Sequence, residues 1–431
     1  MASTPNPFGV SVGFFMFLSI LLKSNYTIFF LFIIILKDKI LIIKKETLKN
    51  QIKDYFFKKN LFCCKSKKIK RSASDMGMAT CSSSSSMIVP SKAALKPPCS
   101  HPIFSTFQIP TSPVPKANPY EHLNIAPNLD GTITRLLDAP IVEANPEATH
   151  GDAVVCKDLT LIAEKKTWVR VYRPTRLPSN DNTVARLPII IYFHGGGFVN
   201  WRASMKMPHQ RCSDLASEIP AIVASLDYRL APEHRLPAQY EDAIDAILWV
   251  KQQFEDPNGE QWLKEYGDCS RCYLNGRGSG GNMVFNSALR VLDLDLNPLK
   301  IAGLILNQPM FGGNERKNSE LMFVDDPALP LAALDLLWKL SLPEGTDRDH
   351  PFCNPVVEGA EKRKMSSLGR CLVTGFFGDV MFDRMQDLVE MLVMRGVKVE
   401  VRFHDPDFHN VDLVDQHCAR AITNSIKEFV I

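Results

Sequence analysis

Eight short strand-like runs, most of them separated by helix-like stretches, constrain the fold of this 431-residue chain more than any other feature of its sequence. The runs occupy residues 154–162, 167–173, 187–193, 221–228, 271–276, 301–308, 370–377 and 397–403. The helix-like stretches occupy residues 205–217, 237–255, 280–293, 383–395 and 411–430. The first two runs follow each other directly and the later ones alternate with helices. This pattern predicts an α/β fold, with a mostly parallel sheet, an antiparallel start and helices on both faces.

The chain ahead of this alternation has a different composition. Residues 1–75 hold 14 Lys and Arg against four Asp and Glu, whereas the remainder holds 36 against 43. Apolar runs within residues 12–36, followed by lysines, have the pattern of a membrane anchor. The residues that dominate 12–70 have A/T-rich codons, which favours another interpretation. In that interpretation residues 1–75 are not part of the native protein, and translation starts at Met76, Met78 or Met87. Residues 76–118, rich in Ser and Pro, predict a disordered linker, and the folded domain is expected over 119–431.

Charge and cysteine usage argue against several classes of function. The mildly acidic body argues against nucleic acid as a partner. Eleven cysteines, odd in number and scattered, are typical of free thiols in a reducing compartment. A cytoplasmic location is therefore expected, with anchoring to a membrane through residues 12–36 as the alternative. Cys269 and Cys272 form a CxxC pair, but no second pair or nearby histidine completes a metal site, so no metal is predicted.

Two glycine-rich segments directly follow apolar runs. In HGGGF, residues 194–198, the three glycines Gly195, Gly196 and Gly197 allow the backbone to approach a ligand and to direct N–H groups at it. An oxyanion hole requires such groups. The second segment, GRGSGGN at 276–282, lies between a strand and a helix. Many hydrolases hold a serine nucleophile at a sharp corner of this kind.

An acid and a histidine follow the last two strands. Asp379 comes at the end of one strand, and His409 lies between the last strand and the final helix. Their order along the chain, nucleophile then Asp then His, is that of a hydrolase triad, in which the acid orients the imidazole that accepts the proton. His404 is the competing histidine, but it lies within or at the end of the strand, so a structural role is expected for it.

These segments together resemble the hormone-sensitive-lipase-type α/β-hydrolases, and in particular the plant carboxylesterases. The resemblance rests on HGGGF, on LDYRLAPEHRLPAQYEDA at 226–243, and on GRGSGGN, GDVMFDR and DFHN, in unbroken order over residues 119–431. It implies an α/β-hydrolase fold and a carboxylic-ester hydrolase without metal or cofactor. It also implies a cap near residues 119–135 and 312–350, and it makes Arg229 and Glu233 expected ion-pair formers beside the site. The cap residues Phe323, Trp338 and Leu342 are expected to line an apolar pocket.

The elbow departs from this family at one decisive position. The family pattern G-[DS]-S-[AS]-G-[GA]-N has its nucleophile at the third residue, where this chain has Gly278. Ser279 falls on the next position, whose N–H completes the oxyanion hole in the family, and Arg277 replaces a residue that is usually acidic or small. The elbow conformation costs a non-glycine residue about 1–3 kcal/mol, and glycine removes that strain. The fold is therefore expected to survive the loss of the attacking oxygen.

Three functions follow from this combination. The first is a carboxylesterase-like hydrolase that acts on a small carboxylic ester or a related apolar ligand. Its catalytic residues would be Ser279, Asp379 and His409, or His409 would activate water. The second is a non-hydrolytic lyase or cyclase in which His409 is the general base. The third is a catalytically dead protein that binds a small molecule. The retained histidine and acid fit this third function less well.

Overall fold

An eight-stranded sheet forms the centre of the computed structural model, which describes residues 118–431 apart from 178, 181, 182, 185, 358 and 406. Its strands, in chain order, are Val154–Ile162 (β3), Thr167–Pro174 (β4), Leu187–Phe193 (β5), Ile222–Asp227 (β6), Gly267–Arg277 (β7), Ile301–Asn307 (β8), Cys371–Phe376 (β9) and Val399–His404 (β10). Their order across the sheet is β10-β9-β8-β7-β5-β6-β4-β3. β3 and β4 pair antiparallel, β4 pairs antiparallel with β6, and the remaining pairings are parallel. The predicted fold class and the antiparallel start are confirmed.

Helices cover both faces of this sheet. The longer ones are Lys206–Glu218 (α2), Ala238–Glu255 (α3), Ser279–Val291 (α5), Leu331–Ser341 (α7), Phe382–Met394 (α8) and Gln416–Val430 (α9). Shorter ones are Pro119–His122 (α1), Gln261–Tyr266 (α4) and Asn318–Met322 (α6), with 3-10 turns at Ala360–Ser367 and Val411–Leu413. The sequence missed α4, and it described α7 only as part of a mixed insertion. Among the described helices, none combines the length and the apolar character that crossing a membrane requires.

The central strand β5 explains why the sheet needs cover on both sides. All seven residues of LPIIIYF are buried, so the strand reads as a continuous apolar run. Ile189, Ile191 and Phe193 belong to the apolar cluster that includes α3, α5 and α7, whereas Ile190 and Tyr192 join α2 and α9 on the opposite face. Side chains of a strand alternate between faces, and each large apolar side chain that is fully buried stabilises the fold by about 1.5–3 kcal/mol.

A small hairpin precedes the sheet. Ile125–Pro127 (β1) and Ile133–Arg135 (β2) pair antiparallel around Asp130 and Gly131. Asp130 accepts hydrogen bonds from both the backbone and the hydroxyl of Thr132, and Gly131 has a φ of +84°. A second short ladder joins Ser179–Asn180 to Thr183–Val184. The extension 1–75 and the linker 76–118, except its last residue, lie outside the described residues, as does the candidate anchor 12–36.

Candidate active site

Two glycines of the corner between β7 and α5, Gly276 and Gly280, leave no space for a larger residue. A Cβ on Gly276 would lie 2.1 Å from the carbonyl oxygen of Gly280, and a Cβ on Gly280 would lie 1.9 Å from that of Phe193. Gly278 has φ +52° and ψ −117°, and a Cβ there would meet nothing within 4 Å. These approaches fix the register of the corner. A shift by one residue, which would bring Ser279 to the nucleophile position, would place Arg277 where only glycine fits.

Ser279 occupies the first position of α5 and is buried. The residue is 1% exposed, and its hydroxyl lies beside the phenol of Tyr228. Burial raises the pKa of Tyr228, and the neighbouring Ser279 hydroxyl lowers it by less. No hydrogen bond joins Ser279 to His409 in the described part of the chain. Of the three predicted catalytic side chains, Asp379 and His409 are hydrogen-bonded to each other, and Ser279 lines the same cavity as His409.

Asp379 and His409 form a buried hydrogen-bonded pair. Asp379 follows β9, His409 follows β10, and the distance from His409 Nδ1 to Asp379 Oδ2 is 2.8 Å. The other carboxylate oxygen of Asp379 accepts the N–H of Met381 at 2.8 Å. Because the carboxylate accepts from Nδ1, Nε2 of the neutral ring carries the lone pair and is free to accept a proton. His404 lies in β10 with its ring 5.7 Å from that of Phe376, away from this pair.

The glycine loop after β5 presents backbone N–H groups to the same place. Gly196 and Gly197 have φ values of +101° and +65°, and a Cβ on Gly196 would lie 2.1 Å from the carbonyl oxygen of Asn200. Within the described residues, no acceptor is found for the N–H groups of Gly196, Gly197 and Ser279. Both the loop, with Gly195, and Ser279 line the cavity that His409 also lines. Free N–H donors at one cavity wall are what a developing oxyanion requires.

His194 holds this loop from behind and takes no part in proton transfer. Its ring stacks on Tyr228 with centroids 4.2 Å apart, and its Nδ1 donates to the carbonyl oxygen of Gly195 at 2.8 Å. The Tyr228 hydroxyl donates to the carbonyl oxygen of His194 at 2.9 Å. Full burial lowers the pKa of His194 to about 4, so the ring is neutral at physiological pH. The sequence did not indicate this bracing role, although His194 leads the glycine run.

The cavity in front of these groups is small, about 170 Å³. Residues from both predicted cap segments line it, and these are His122, Leu123, Asn124, Ala328, Leu329 and Leu337. The prediction that Phe323, Trp338 and Leu342 line it is wrong. Trp338 and Leu342 are buried in the core, and Phe323 lies at a separate surface hollow. Successive residues of a helix point about 100° apart, so Leu337 of α7 faces the cavity and its neighbour Trp338 does not.

Arg277, the unusual residue of the elbow, is buried and neutralised. Its side chain is 3% exposed and forms an ion pair with Asp412, which is 1% exposed, and its Nε donates to Asn410 Oδ1 at 2.9 Å. Burial acts to raise the pKa of Asp412, but the charges of Arg277 and Arg211 outweigh it and the pKa is lowered. The sequence showed Arg277 as a departure without a partner. Asp412, three residues after His409, is the partner that it missed.

The segment after β6 braces the site as expected. Arg229 pairs with Asp242 at 2.7 Å, and Glu233 pairs with Arg135 of β2 at 2.7 Å. The same Arg135 donates to the carbonyl oxygens of Val199 and Ala231, at 2.6 and 2.7 Å. The prediction that Arg229 and Glu233 form ion pairs is confirmed. Through Arg135, the hairpin is joined to Glu233 and Ala231 and to Val199, which directly follows the glycine loop.

Comparison with known proteins agrees with this geometry. Residues 190–413 match the alpha/beta hydrolase fold family. "Probable carboxylesterase 9" of Arabidopsis thaliana is 51% identical over 317 residues, which cover 73% of this chain and 98% of the relative. This chain belongs to the plant carboxylesterase family of α/β-hydrolases.

Two further relatives within this family differ in the chemistry that their names give. "3-O-acetylpapaveroxine carboxylesterase CXE2" of Papaver somniferum is 43% identical over 320 residues, covering 73% of this carboxylesterase and 100% of the relative. "2-hydroxyisoflavanone dehydratase" of Glycyrrhiza echinata is 35% identical over 238 residues, covering 54% of this chain and 70% of the relative. The scaffold is thus similar to that of an esterase for an acetylated compound and to that of a dehydratase.

Proposed function

We propose that this protein binds a small carboxylic ester and hydrolyses it slowly with a water molecule activated by His409. The observation that carries the proposal is the arrangement around Gly278. The His409–Asp379 pair and the free N–H groups of the glycine loop line one cavity, and the position between them holds no side chain. The cavity volume of about 170 Å³ favours a small acyl group, and the name of the acetyl-ester relative agrees with this size.

The reaction follows from the atoms present. The ester carbonyl oxygen lies against the N–H groups of Gly196, Gly197 and Ser279. Water attacks the carbonyl carbon while His409 Nε2 takes its proton, and Asp379 stabilises the imidazolium that forms. The C–O bond to the alcohol then breaks, and His409 returns the proton to the leaving oxygen. The products are the acid and the alcohol, and no covalent intermediate forms.

Turnover is expected to be slow because water replaces a tethered nucleophile. Removal of a serine nucleophile from a hydrolase of this type costs on the order of 10⁶ in turnover. The oxyanion hole and ligand binding retain about 10³–10⁴ over the uncatalysed reaction. The distribution of charge around the site favours a neutral ester, because the cationic side chain at the elbow, Arg277, is already paired with Asp412.

A second candidate is elimination of water from a β-hydroxy carbonyl compound. Here His409 Nε2 takes the proton from the carbon next to the carbonyl, and the N–H groups stabilise the enolate. The C–O bond at the β carbon then breaks as His409 returns the proton to the leaving hydroxyl, which departs as water. This chemistry needs a base and an oxyanion hole but no serine oxygen, which is the set of groups around Gly278. The relative named as a dehydratase favours it.

The cytoplasmic location expected from the sequence belongs to the same proposal. All seven cysteines in the described part of the chain are free thiols, and burial raises the pKa of the Cys272 thiol. A reducing compartment fits these thiols, and the CxxC pair supplies no reactive thiolate at Cys272. Small neutral molecules are the proposed partners, and nucleic acid is not among them.

The test is hydrolysis of 4-nitrophenyl acetate by the full-length protein, beside the variants His409→Gln and Ser279→Ala. We expect slow, saturable hydrolysis that is lost in His409→Gln and retained in Ser279→Ala. Loss of hydrolysis in a folded Ser279→Ala variant would mean that the serine is the nucleophile after all. Equal rates in the unmodified protein and in His409→Gln would contradict the proposal. In that case elimination is tested with a β-hydroxy ketone as substrate. The reaction is followed by the absorbance of the enone product.

A further inference from the structure

The insertion between β8 and β9 contains a buried acidic residue that the reaction above does not use. Asp326 is 3% exposed, whereas its neighbour Asp325 is exposed. It lies in the turn between α6 and α7, where its own N–H donates to the carbonyl oxygen of Phe323 at 3.0 Å. A buried carboxylate is stable only when hydrogen bonds or charges compensate for the water that it has lost. The groups that compensate it identify what it does.

Both oxygens of Asp326 accept backbone N–H groups, from two different segments. Oδ2 accepts the N–H of His409 at 2.9 Å. Oδ1 accepts the N–H groups of Ala328 and Leu329 at 2.9 and 2.8 Å. One carboxylate therefore joins the backbone of His409 to the turn of the insertion that lines the cavity. Asparagine has a single acceptor oxygen and could satisfy one segment but not both.

The segment of the insertion around Ser319 is attached to residues that follow Asp379, the acid of the Asp379–His409 pair. The Ser319 hydroxyl donates to the carbonyl oxygen of Val380, next to Asp379, at 2.9 Å, and Asp383 accepts the N–H of Ser319 at 2.9 Å. A buried ion pair between Arg384 and Glu320, at 2.8 Å, adds a second attachment. These contacts hold the insertion next to Asp379 without the help of Asp326. The carboxylate of Asp326 therefore joins the backbone of His409 to an insertion that is already attached beside Asp379.

The same turn also contacts the N-terminal cap segment. Ala328 and Leu329 line the cavity, and His122 Nε2 donates to the carbonyl oxygen of Ala328 at 3.2 Å. A ligand that displaces this turn therefore acts on Asp326, and through it on the backbone of His409. Side chains that hold a reacting group in this way influence rate strongly, because a misplacement of about 1 Å can cost on the order of 10²-fold in turnover.

We propose that Asp326 is a positioning residue for His409, which couples the cap turn at Ala328 and Leu329 to the orientation of the imidazole. This inference rests on the proposed role of His409 as the base. It adds a residue outside the Asp379–His409 pair. It also explains how a ligand in the cavity acts on that pair, through the turn at Ala328 and Leu329. Asp326 touches neither ligand nor reacting atoms.

The first test observes His409 directly and needs no turnover. Proton NMR of the full-length protein should give a far-downfield resonance for the Nδ1–H that is shared with Asp379, assigned by its absence in His409→Gln. We expect this resonance to shift or broaden in Asp326→Asn and to stay unchanged in Asp325→Asn, the matched exposed control. An unchanged resonance in a folded Asp326→Asn variant would overturn the proposal.

Two further measurements complement this resonance, and the first of them needs no variant. In the unmodified protein the amide of His409 should be protected from hydrogen exchange, and exchange as fast as that of an exposed amide would also overturn the proposal. In a Gly278→Ser background, Asp326→Asn should lower kcat about 10- to 100-fold, and Asp325→Asn should not. If Gly278→Ser hydrolyses nothing, the proposed function fails, while the resonance and the amide exchange still decide the role of Asp326.

Discussion

At the scale of single residues, Gly278 occupies the position at which the family pattern has its serine nucleophile. The backbone there has φ +52° and ψ −117°, a conformation that residues with a Cβ rarely adopt. The space in front of it is open, since a Cβ would meet nothing within 4 Å. Glycine thus relieves strain without collapsing the site around it. The open position faces the cavity that His409 lines.

Arg277 and Asp412 should behave as a buried unit. Asp412→Asn leaves the guanidinium without its counter-charge, so we expect the free energy of unfolding to fall by about 3–5 kcal/mol. The double variant Arg277→Met with Asp412→Leu should cost less than the sum of the single changes, because it removes both buried charges. Urea denaturation of the unmodified protein, of the single variants Arg277→Met and Asp412→Leu and of the double variant measures this difference.

An exposed pair supplies the control for that cycle. Arg402 and Glu400 lie 3.5 Å apart with side chains 42% and 44% exposed, and Glu400→Gln should change stability by less than about 1 kcal/mol. An Asp412→Asn variant as stable as Glu400→Gln would contradict the assignment of Arg277 as a residue that depends on its partner.

At the scale of elements, the junction of β7 and α5 holds the elbow in register. Gly280→Ala would place a Cβ 1.9 Å from the carbonyl oxygen of Phe193, so the helix would have to move away from the end of β5. We expect a loss of stability beyond about 3 kcal/mol, seen in the urea midpoint, and loss of ligand binding with it. Gly359→Ala is the control, because a Cβ there meets nothing within 4 Å. A Gly280→Ala protein as stable as this control would show that the corner can rebuild.

The strands and helices could be predicted because their sequence signal is local. The residues of the cavity wall were harder to predict. β3 was predicted over 154–162 and is found there. Asp379 and His409 were found because both follow strands whose ends meet at one sheet edge. The sequence could not show where the Ser279 hydroxyl lies, which residue pairs with Arg277, or which face of α7 lines the cavity. Contacts between distant segments decide all three. Asp326 was missed for the same reason, since its partner His409 lies 83 residues away.

At the scale of the whole molecule, His194 should make folding depend on pH. Its folded pKa of about 4 lies below the ordinary value of 6.5. The unfolded chain therefore takes up a proton below pH 6.5 that the folded chain refuses until about pH 4. Stability from this residue is complete above pH 6.5 and is lost as the pH falls through this window, by about 3 kcal/mol.

The variant His194→Asn isolates that dependence, because its amide can still donate to the carbonyl oxygen of Gly195. We expect the free energy of unfolding of the unmodified protein to fall by about 3 kcal/mol more between pH 7 and pH 4 than that of the variant. Denaturation at several pH values measures both slopes, and carboxylates common to the two proteins cancel in the difference. Parallel slopes would contradict the buried neutral state of His194.

We propose that this protein has an oxyanion hole and the His409–Asp379 pair of a serine esterase and lacks the attacking oxygen. Hydrolysis of 4-nitrophenyl acetate by Gly278→Ser, beside Gly278→Ala, tests it most directly. Both variants carry the same strain, about 1–3 kcal/mol, and differ by one oxygen. We predict that turnover rises about 10²-fold or more in Gly278→Ser and not in Gly278→Ala. A folded Gly278→Ser protein no faster than Gly278→Ala would mean that the remaining groups are not arranged for serine catalysis.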